Sequence, residues 1–292
     1  MNVPFGRVLT AQITPFHEDG SLNLDEARRL AAHLVDVQGN DALVINGTTG
    51  EAPTTTDTEK LALLEAVIAE VGDRAQVVAG VGTFSTAHTI ELAKQAEQAG
   101  ASGLLVVTPY YSRPPQDAVA DHFLTVAEAT ELPIMIYDIP HRSGIPVETA
   151  TMIQIGAHPK IVAVKDAKGQ PVASSQVMKA TGLAYYAGDD GMTLPLMAVG
   201  GVGVVGTSTH FTGRATKAMI QSFLDGDVAA AAQQHADLLG VYTGVFATQG
   251  AMLVKAGLAA RGFTPGPMRK PLLSASPEQA ATFVALLEAT RL

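Results

Sequence analysis

Ile161-Val162-Ala163-Val164-Lys165 is an apolar run that ends on a charge. It lacks the polar alternation of a strand with one wet face. It therefore reads as a strand buried on both sides, as in a parallel sheet covered by helices. Seven other runs share this character: Val8 to Ile13, Ala42 to Ile45, Val77 to Val81, Gly103 to Val107, Ile134 to Tyr137, Leu183 to Ala187 and Val202 to Val205. Helical patterns lie between them. Leu61, Leu64, Val67, Ile68 and Val71 follow a Thr56/Glu59 capping box and stop at Gly72, and Thr86 to Ala99 stops at Gly100. Eight strand-helix repeats predict an α/β fold, a (β/α)8 barrel, over a six-stranded doubly wound sheet. The catalytic barrel is expected over residues 1–224. Residues 225–292, Ala-rich and broken by the loop Gly262 to Pro267, are expected to form a C-terminal helical subdomain. No low-complexity linker separates the two, so the appendage should pack on the barrel.

The chain has 292 residues, with 19 Lys plus Arg against 28 Asp plus Glu and a net charge of −9. Such acidity disfavours nucleic acid and anionic membrane as partners, and an anionic substrate must meet locally placed positive charge. With no cysteine, thiolate nucleophiles, thiolate metal sites and disulfides are excluded. The eight histidines are scattered and form no His-Glu-x-x-His cluster, so no metal is expected. Met1 to Arg7 show no basic segment leading into an apolar core, and no long apolar run occurs, which points to the cytoplasm.

Barrel active sites form where strands end and loops begin. The polar residues there are Thr14, Thr48 and Thr49, Tyr110 and Tyr111, Tyr137 and Asp138, Lys165 and Asp166, and Gly188-Asp189-Asp190. Strand alternation puts Ile161, Ala163 and Lys165 on one face. If that face is the barrel interior, desolvation lowers the lysine's pKa. An ordinary lysine is neutral about once in 2500 at pH 7, whereas at a pKa of about 7 to 8 the neutral, nucleophilic fraction is roughly a tenth to a half. The competing role is a strand-mouth lysine paired with Asp138 or Asp190. Tyr137, ending the preceding run, is either a proton shuttle beside that amine or a core aromatic. Arg142, in the following loop, either grips a carboxylate or is solvated surface. Gly47-Thr48-Thr49-Gly50-Glu51 is either a small-anion cradle or a capped turn. Gly201-Val202-Gly203-Val204-Val205-Gly206 matches a dinucleotide-binding pattern, but its valines are the eighth strand itself and not a turn after the first. Close approach of backbone to a ligand explains its glycines better.

Five motifs then occur in a telling order: Gly47-Thr48-Thr49-Gly50-Glu51, Thr108-Pro109-Tyr110-Tyr111 before Arg113-Pro114, Tyr137-Asp138-Ile139-Pro140-x-Arg142-Ser143-Gly144, Ile161-Val162-x-Val164-Lys165-Asp166-Ala167, and Gly188-Asp189-Asp190. With the late Val254-Lys255-Ala256-Gly257-Leu258 segment, they make the chain resemble the dihydrodipicolinate synthase and N-acetylneuraminate lyase family of pyruvate-dependent class I aldolases. The resemblance implies a Schiff base between Lys165 and pyruvate, proton transfer by Tyr137, and a relay through Thr48 and Tyr111, the latter from a neighbouring subunit. It implies that Thr49 holds the pyruvate carboxylate and that the backbone of Gly188 and Val205 lines the pocket. No cofactor beyond the covalent imine is implied. Arg142 favours the synthase branch, which joins pyruvate to aspartate semialdehyde, over aldolases or dehydratases of sugar acids; a non-catalytic keto-acid binder is the remaining alternative. The resemblance also implies a homotetramer built as a dimer of dimers. Feedback-inhibited members bind lysine through polar side chains where this chain has Ala52, Pro53, Asp57, Phe84 and His88, so weak or absent inhibition by lysine is expected.

Overall fold

The computed structural model describes residues 2–292, so Met1 and its part in the N-terminal reading lie outside it. The eight apolar runs become β1 (Val8–Ala11), β2 (Ala42–Ile45), β3 (Gln76–Gly80), β4 (Gly103–Val107), β5 (Ile134–Asp138), β6 (Ile161–Asp166), β7 (Ala184–Ala187) and β8 (Gly203–Gly206). All neighbours pair in parallel, and β8 closes on β1 with Leu9 beside Val205. Helices α1 (Leu24–Ala32), α2 (Asp57–Val71), α3 (Thr86–Gln98), α4 (Gln116–Glu128), α5 (Pro140–Ser143), α6 (Thr149–Ile155), α7 (Pro171–Thr181), α8 (Thr193–Met197) and α9 (Thr209–Leu224) return the chain between strands or follow the last one. The sequence signals act where they stand: Thr56 and Glu59 cap α2 reciprocally, and Gly100, at φ 86°, takes the left-handed turn just past α3.

Two apolar shells explain the missing alternation. Leu9, Val44, Val78, Leu105, Met135 and Ala163 fill the barrel, while Leu43, Ile45, Val77, Leu104, Ile136 and Val164 pack outward against the helices. The end opposite the catalytic loops is plugged by Phe5, whose N–H donates to the Tyr186 hydroxyl and whose ring occupies the space a Cβ on Gly103 would need.

Two expectations change. Ile134 pairs with Ile161 but Met135 pairs with Ala163, so Val162 is an extra residue in a bulge. Ile161 consequently joins the outer shell, and only Ala163 and Lys165 share the inner face. The glycines of the Gly201 to Gly206 motif do permit close approach, but to protein. A Cβ on Gly203 would lie 2.0 Å from the Arg7 carbonyl oxygen, and one on Gly206 would lie 2.6 Å from an Asp190 carboxylate oxygen.

Beyond Leu224 come α10 (Val228–Gly244), packed on α9, then α11 (Gly250–Ala259) and α12 (Pro277–Ala289), packed on each other. Among the described residues no helix is long and apolar enough to cross a membrane.

Candidate active site

Lys165 and Tyr137 are register partners on β6 and β5, and the Lys165 Nζ lies 4.3 Å from the centre of the Tyr137 ring. The lysine is only 5% exposed. Burial pushes its pKa down to about 8; the Asp190 charge opposes the change and the Arg142 charge adds to it. Roughly a tenth of the amine is then neutral at pH 7. Burial drives the Tyr137 phenol above its ordinary range, against the pull of Arg142 and of the Thr48 hydroxyl. Tyr137 therefore keeps its proton near neutrality and can donate it only to an acceptor made more basic during reaction.

The carboxylates that could neutralise Lys165 are engaged elsewhere. Asp138 pairs with Lys168 at 3.1 Å and accepts from the Val147 N–H. Asp166 accepts from the Ser174 hydroxyl and the Lys168 N–H. Asp190 accepts from the Ser208 hydroxyl and from the backbone N–H groups of Thr207 and Ser208. Lys165 takes part in no ion pair among the described residues. The paired strand-mouth lysine is thus not what forms.

Lys165, Tyr137, Thr48, Thr49, Arg142 and Gly188 line one cavity of about 490 Å³. Arg142 is carried by α5, which starts at Pro140 and is stopped by Gly144 at φ 84°, while the Ser143 hydroxyl donates back to the Ile139 carbonyl. A Cβ on Gly188, just past β7, would come 3.0 Å from the Ala167 Cβ and 3.1 Å from the Lys165 Cγ, so a glycine here lets the chain pass the lysine stem without pressing on it. The turn after β2 is held from both sides. The Thr14 hydroxyl donates to the Gly50 carbonyl at 2.6 Å, and the buried Glu51 carboxylate meets Lys255 of α11 at 2.7 Å.

Two expected residues stand apart from this cavity. Val205 is buried in the inner shell and does not line it; the wall beyond β8 comes from Thr207, whose hydroxyl is 3.4 Å from that of Thr49. Tyr111 is 93% exposed with φ 75°, outside its own chain's cavity. The pairing of Asp138 with Lys168 was also beyond sequence reading, although the alternating charges of Lys165-Asp166-x-Lys168 were its visible trace. So was the far wall, which the appendage supplies through Tyr242, Phe246, Gln249 and Gly250. Among the described residues no group of three or more His, Cys, Asp or Glu side chains is placed to hold a metal ion.

A closed (β/α)8 barrel presenting an unpaired, readily deprotonated amine beside a phenol, two threonines and an arginine has the architecture of an enzyme acting on small carbonyl compounds. The chain belongs to the Dihydrodipicolinate synthetase family, whose sequence profile matches residues 4–290. It is 57% identical over 293 residues to the 4-hydroxy-tetrahydrodipicolinate synthase of Cutibacterium acnes, covering 100% of both chains. It is 61% identical over 278 residues to the enzyme of the same name from Acidothermus cellulolyticus, covering 95% of this chain and 90% of the relative. The solved structure of dihydrodipicolinate synthase from Cyanidioschyzon merolae with lysine bound superposes with a TM-score of 0.97 at 36% identity, covering 100% of each chain.

The depressed pKa makes a direct test available. Acylation of Lys165 by an amine-selective reagent, followed by peptide mass spectrometry across pH, should show a midpoint near 8. Exposed lysines should titrate near their ordinary value of about 10.4. A Lys165 midpoint at that ordinary value would contradict the unpaired, desolvated amine.

Proposed function

We propose that this protein is a lyase that condenses pyruvate with L-aspartate 4-semialdehyde to 4-hydroxy-tetrahydrodipicolinate, on the route to diaminopimelate and lysine. The observation that carries this reading is the unpaired amine of Lys165 in one cavity with the free guanidinium of Arg142. The neutral amine attacks the keto carbon of pyruvate, and loss of water leaves an iminium. Its positive charge draws the electrons of a methyl C–H bond as a proton departs, giving an enamine. The enamine carbon then bonds to the aldehyde carbon of the second substrate, whose oxygen takes up a proton. Attack of that substrate's own amine on the iminium carbon closes the ring and frees Lys165, so one water is released overall. The imine is the electron sink, and the scheme calls for no metal or organic cofactor.

The residues divide this work by chemistry. Tyr137, protonated at rest and touched by Thr48, moves protons between the nitrogen, the methyl carbon and the new hydroxyl. Thr49 and the turn around it receive the pyruvate carboxylate, and the backbone of Gly188 borders the pocket. Arg142, on the exposed rim, takes the carboxylate of the semialdehyde in bidentate fashion, which favours this substrate over a sugar acid. Tyr111 completes the relay from a second subunit. In support, it protrudes in a left-handed conformation that a bulky residue seldom adopts unaided. Nearby, Phe84 is 63% exposed and stands edge-on to Tyr110 at 5.5 Å, part of an apolar patch suited to burial between subunits. The assembly in this reading is a cytoplasmic homotetramer, a dimer of dimers.

Lys165→Ala should abolish the borohydride-trapped pyruvate adduct. Arg142→Ala should leave that adduct intact but raise KM for the semialdehyde by about ten- to a hundredfold, the loss of one charge-assisted bidentate contact. Unchanged semialdehyde kinetics in Arg142→Ala would remove the assignment of the second substrate. Sedimentation should show a species larger than a monomer; a fully active monomer would refute the role given to Tyr111. Where feedback-inhibited relatives bind lysine, the Asp57 carboxylate of this chain is already hydrogen-bonded to the His88 ring at 2.8 Å, with the Lys60 ammonium 3.7 Å from it. An incoming ammonium finds its carboxylate already engaged, so steady-state assays should show little inhibition at sub-millimolar lysine.

A further inference from the structure

Lys255 is a buried lysine for which the condensation has no direct use. It reaches from α11 to Glu51, the last residue of the Gly47-Thr48-Thr49-Gly50-Glu51 turn, and the two side chains are 5% and 1% exposed. Neither lines the cavity that holds Lys165. Glu51 has φ 57°, a left-handed conformation that a residue bearing a Cβ keeps only when its surroundings hold it there. The surroundings do so three times. Its N–H donates to the Thr48 carbonyl at 3.1 Å, one carboxylate oxygen meets Lys255 at 2.7 Å, and the other accepts from the Arg269 N–H at 2.9 Å. Lys255 is itself fixed by donating to the Pro267 carbonyl at 2.8 Å and by lying 4.5 Å from the centre of the Phe16 ring. The appendage thus grips the carboxylate cradle from behind, two residues from Thr49.

We propose that the Glu51–Lys255 pair is the positioning element of the carboxylate cradle, holding the Thr48–Thr49 turn in its receiving conformation before pyruvate arrives. This rests on the reading of pyruvate as the substrate that joins Lys165. A turn released from its tether populates other conformations, and the apparent affinity for the anion falls in proportion to the competent fraction. The amine and the phenol sit on β6 and β5, away from the tether, and saturating pyruvate draws the turn, Thr48 included, back to its receiving conformation, so kcat is kept while KM rises.

The test is steady-state kinetics of the full chain carrying Glu51→Gln and Lys255→Met together. Removing both charges leaves no uncompensated buried ion, so the fold is retained. Thermal unfolding should move by only a few degrees, while KM for pyruvate rises about tenfold with kcat and the semialdehyde KM within about twofold of the parent. A folded double variant with the parent's pyruvate KM overturns the proposal, as does one in which kcat falls and pyruvate KM does not rise. Should the double variant not fold, Glu51→Asp keeps the charge but draws it back by one methylene; it should show the same selective rise, and a parental pyruvate KM again overturns the proposal. If the unmodified protein forms no borohydride-trapped pyruvate adduct, the functional reading fails and this proposal with it. An adduct in the parent without a KM change in the variants removes only the positioning role.

Discussion

A lysine inside a protein is ordinarily neutralised by the nearest carboxylate, and three aspartates stand at the strand ends around Lys165. The site depends on their being occupied. Asp138 is taken by Lys168, Asp166 by Ser174 and a backbone N–H, and Asp190 by Ser208 and two backbone N–H groups. Asp138 and Asp166 fasten their strand ends to the loop or helix that follows, and Asp190, just past β7, fastens to the residues just past β8. The same bonds that build the catalytic rim therefore keep negative charge away from the amine. Residual attraction from Asp190 still reaches Lys165, which is why its pKa settles near 8 and does not fall further.

Electrostatics on the opposite side of the turn after β2 works in reverse. Glu51 and Lys255 are brought together out of water, with a backbone N–H on the second Glu51 oxygen and a backbone carbonyl on the ammonium. Breaking one half of such a pair typically costs about 3 to 5 kcal/mol, because a lone buried charge is left behind. Arg269 extends the network outward through Glu59, whose carboxyl its guanidinium holds at about 2, well below the ordinary range. The helical appendage is consequently tied to the barrel by charge as well as by apolar contact, and it forms a wall of the cavity in addition to covering the barrel.

The eight strands could be read from sequence because burial on both faces leaves an uninterrupted apolar signature that few other environments produce. Lys165, Tyr137, Thr48, Thr49, Arg142 and Gly188 could be placed together because the closed barrel brings all strand ends to one rim. What escaped sequence reading depended on contacts between distant segments. The bulge at Val162 leaves no composition signal, since any apolar residue fills it, yet it decides that Ile161 faces the helices while Ala163 faces the interior. At β8 the wall of the cavity begins with Thr207, after the strand has ended, and nothing in the valine run distinguishes that position from Val205. The wall from α10 and α11 was invisible because nothing local in an Ala-rich helix says which barrel face it covers.

The plug formed by Phe5 against Gly103 and Tyr186 closes that end of the barrel, and among the described residues the door lies at the opposite rim. Lys165 lies deep behind that door and Arg142 stands on its threshold. Whatever must bond to the amine has to enter before the rim is occupied, and whatever the arginine holds comes afterwards. Depth therefore imposes an order of addition, keto acid first and aldehyde second. The product leaves along the same path, so its release clears the threshold and the interior in one event.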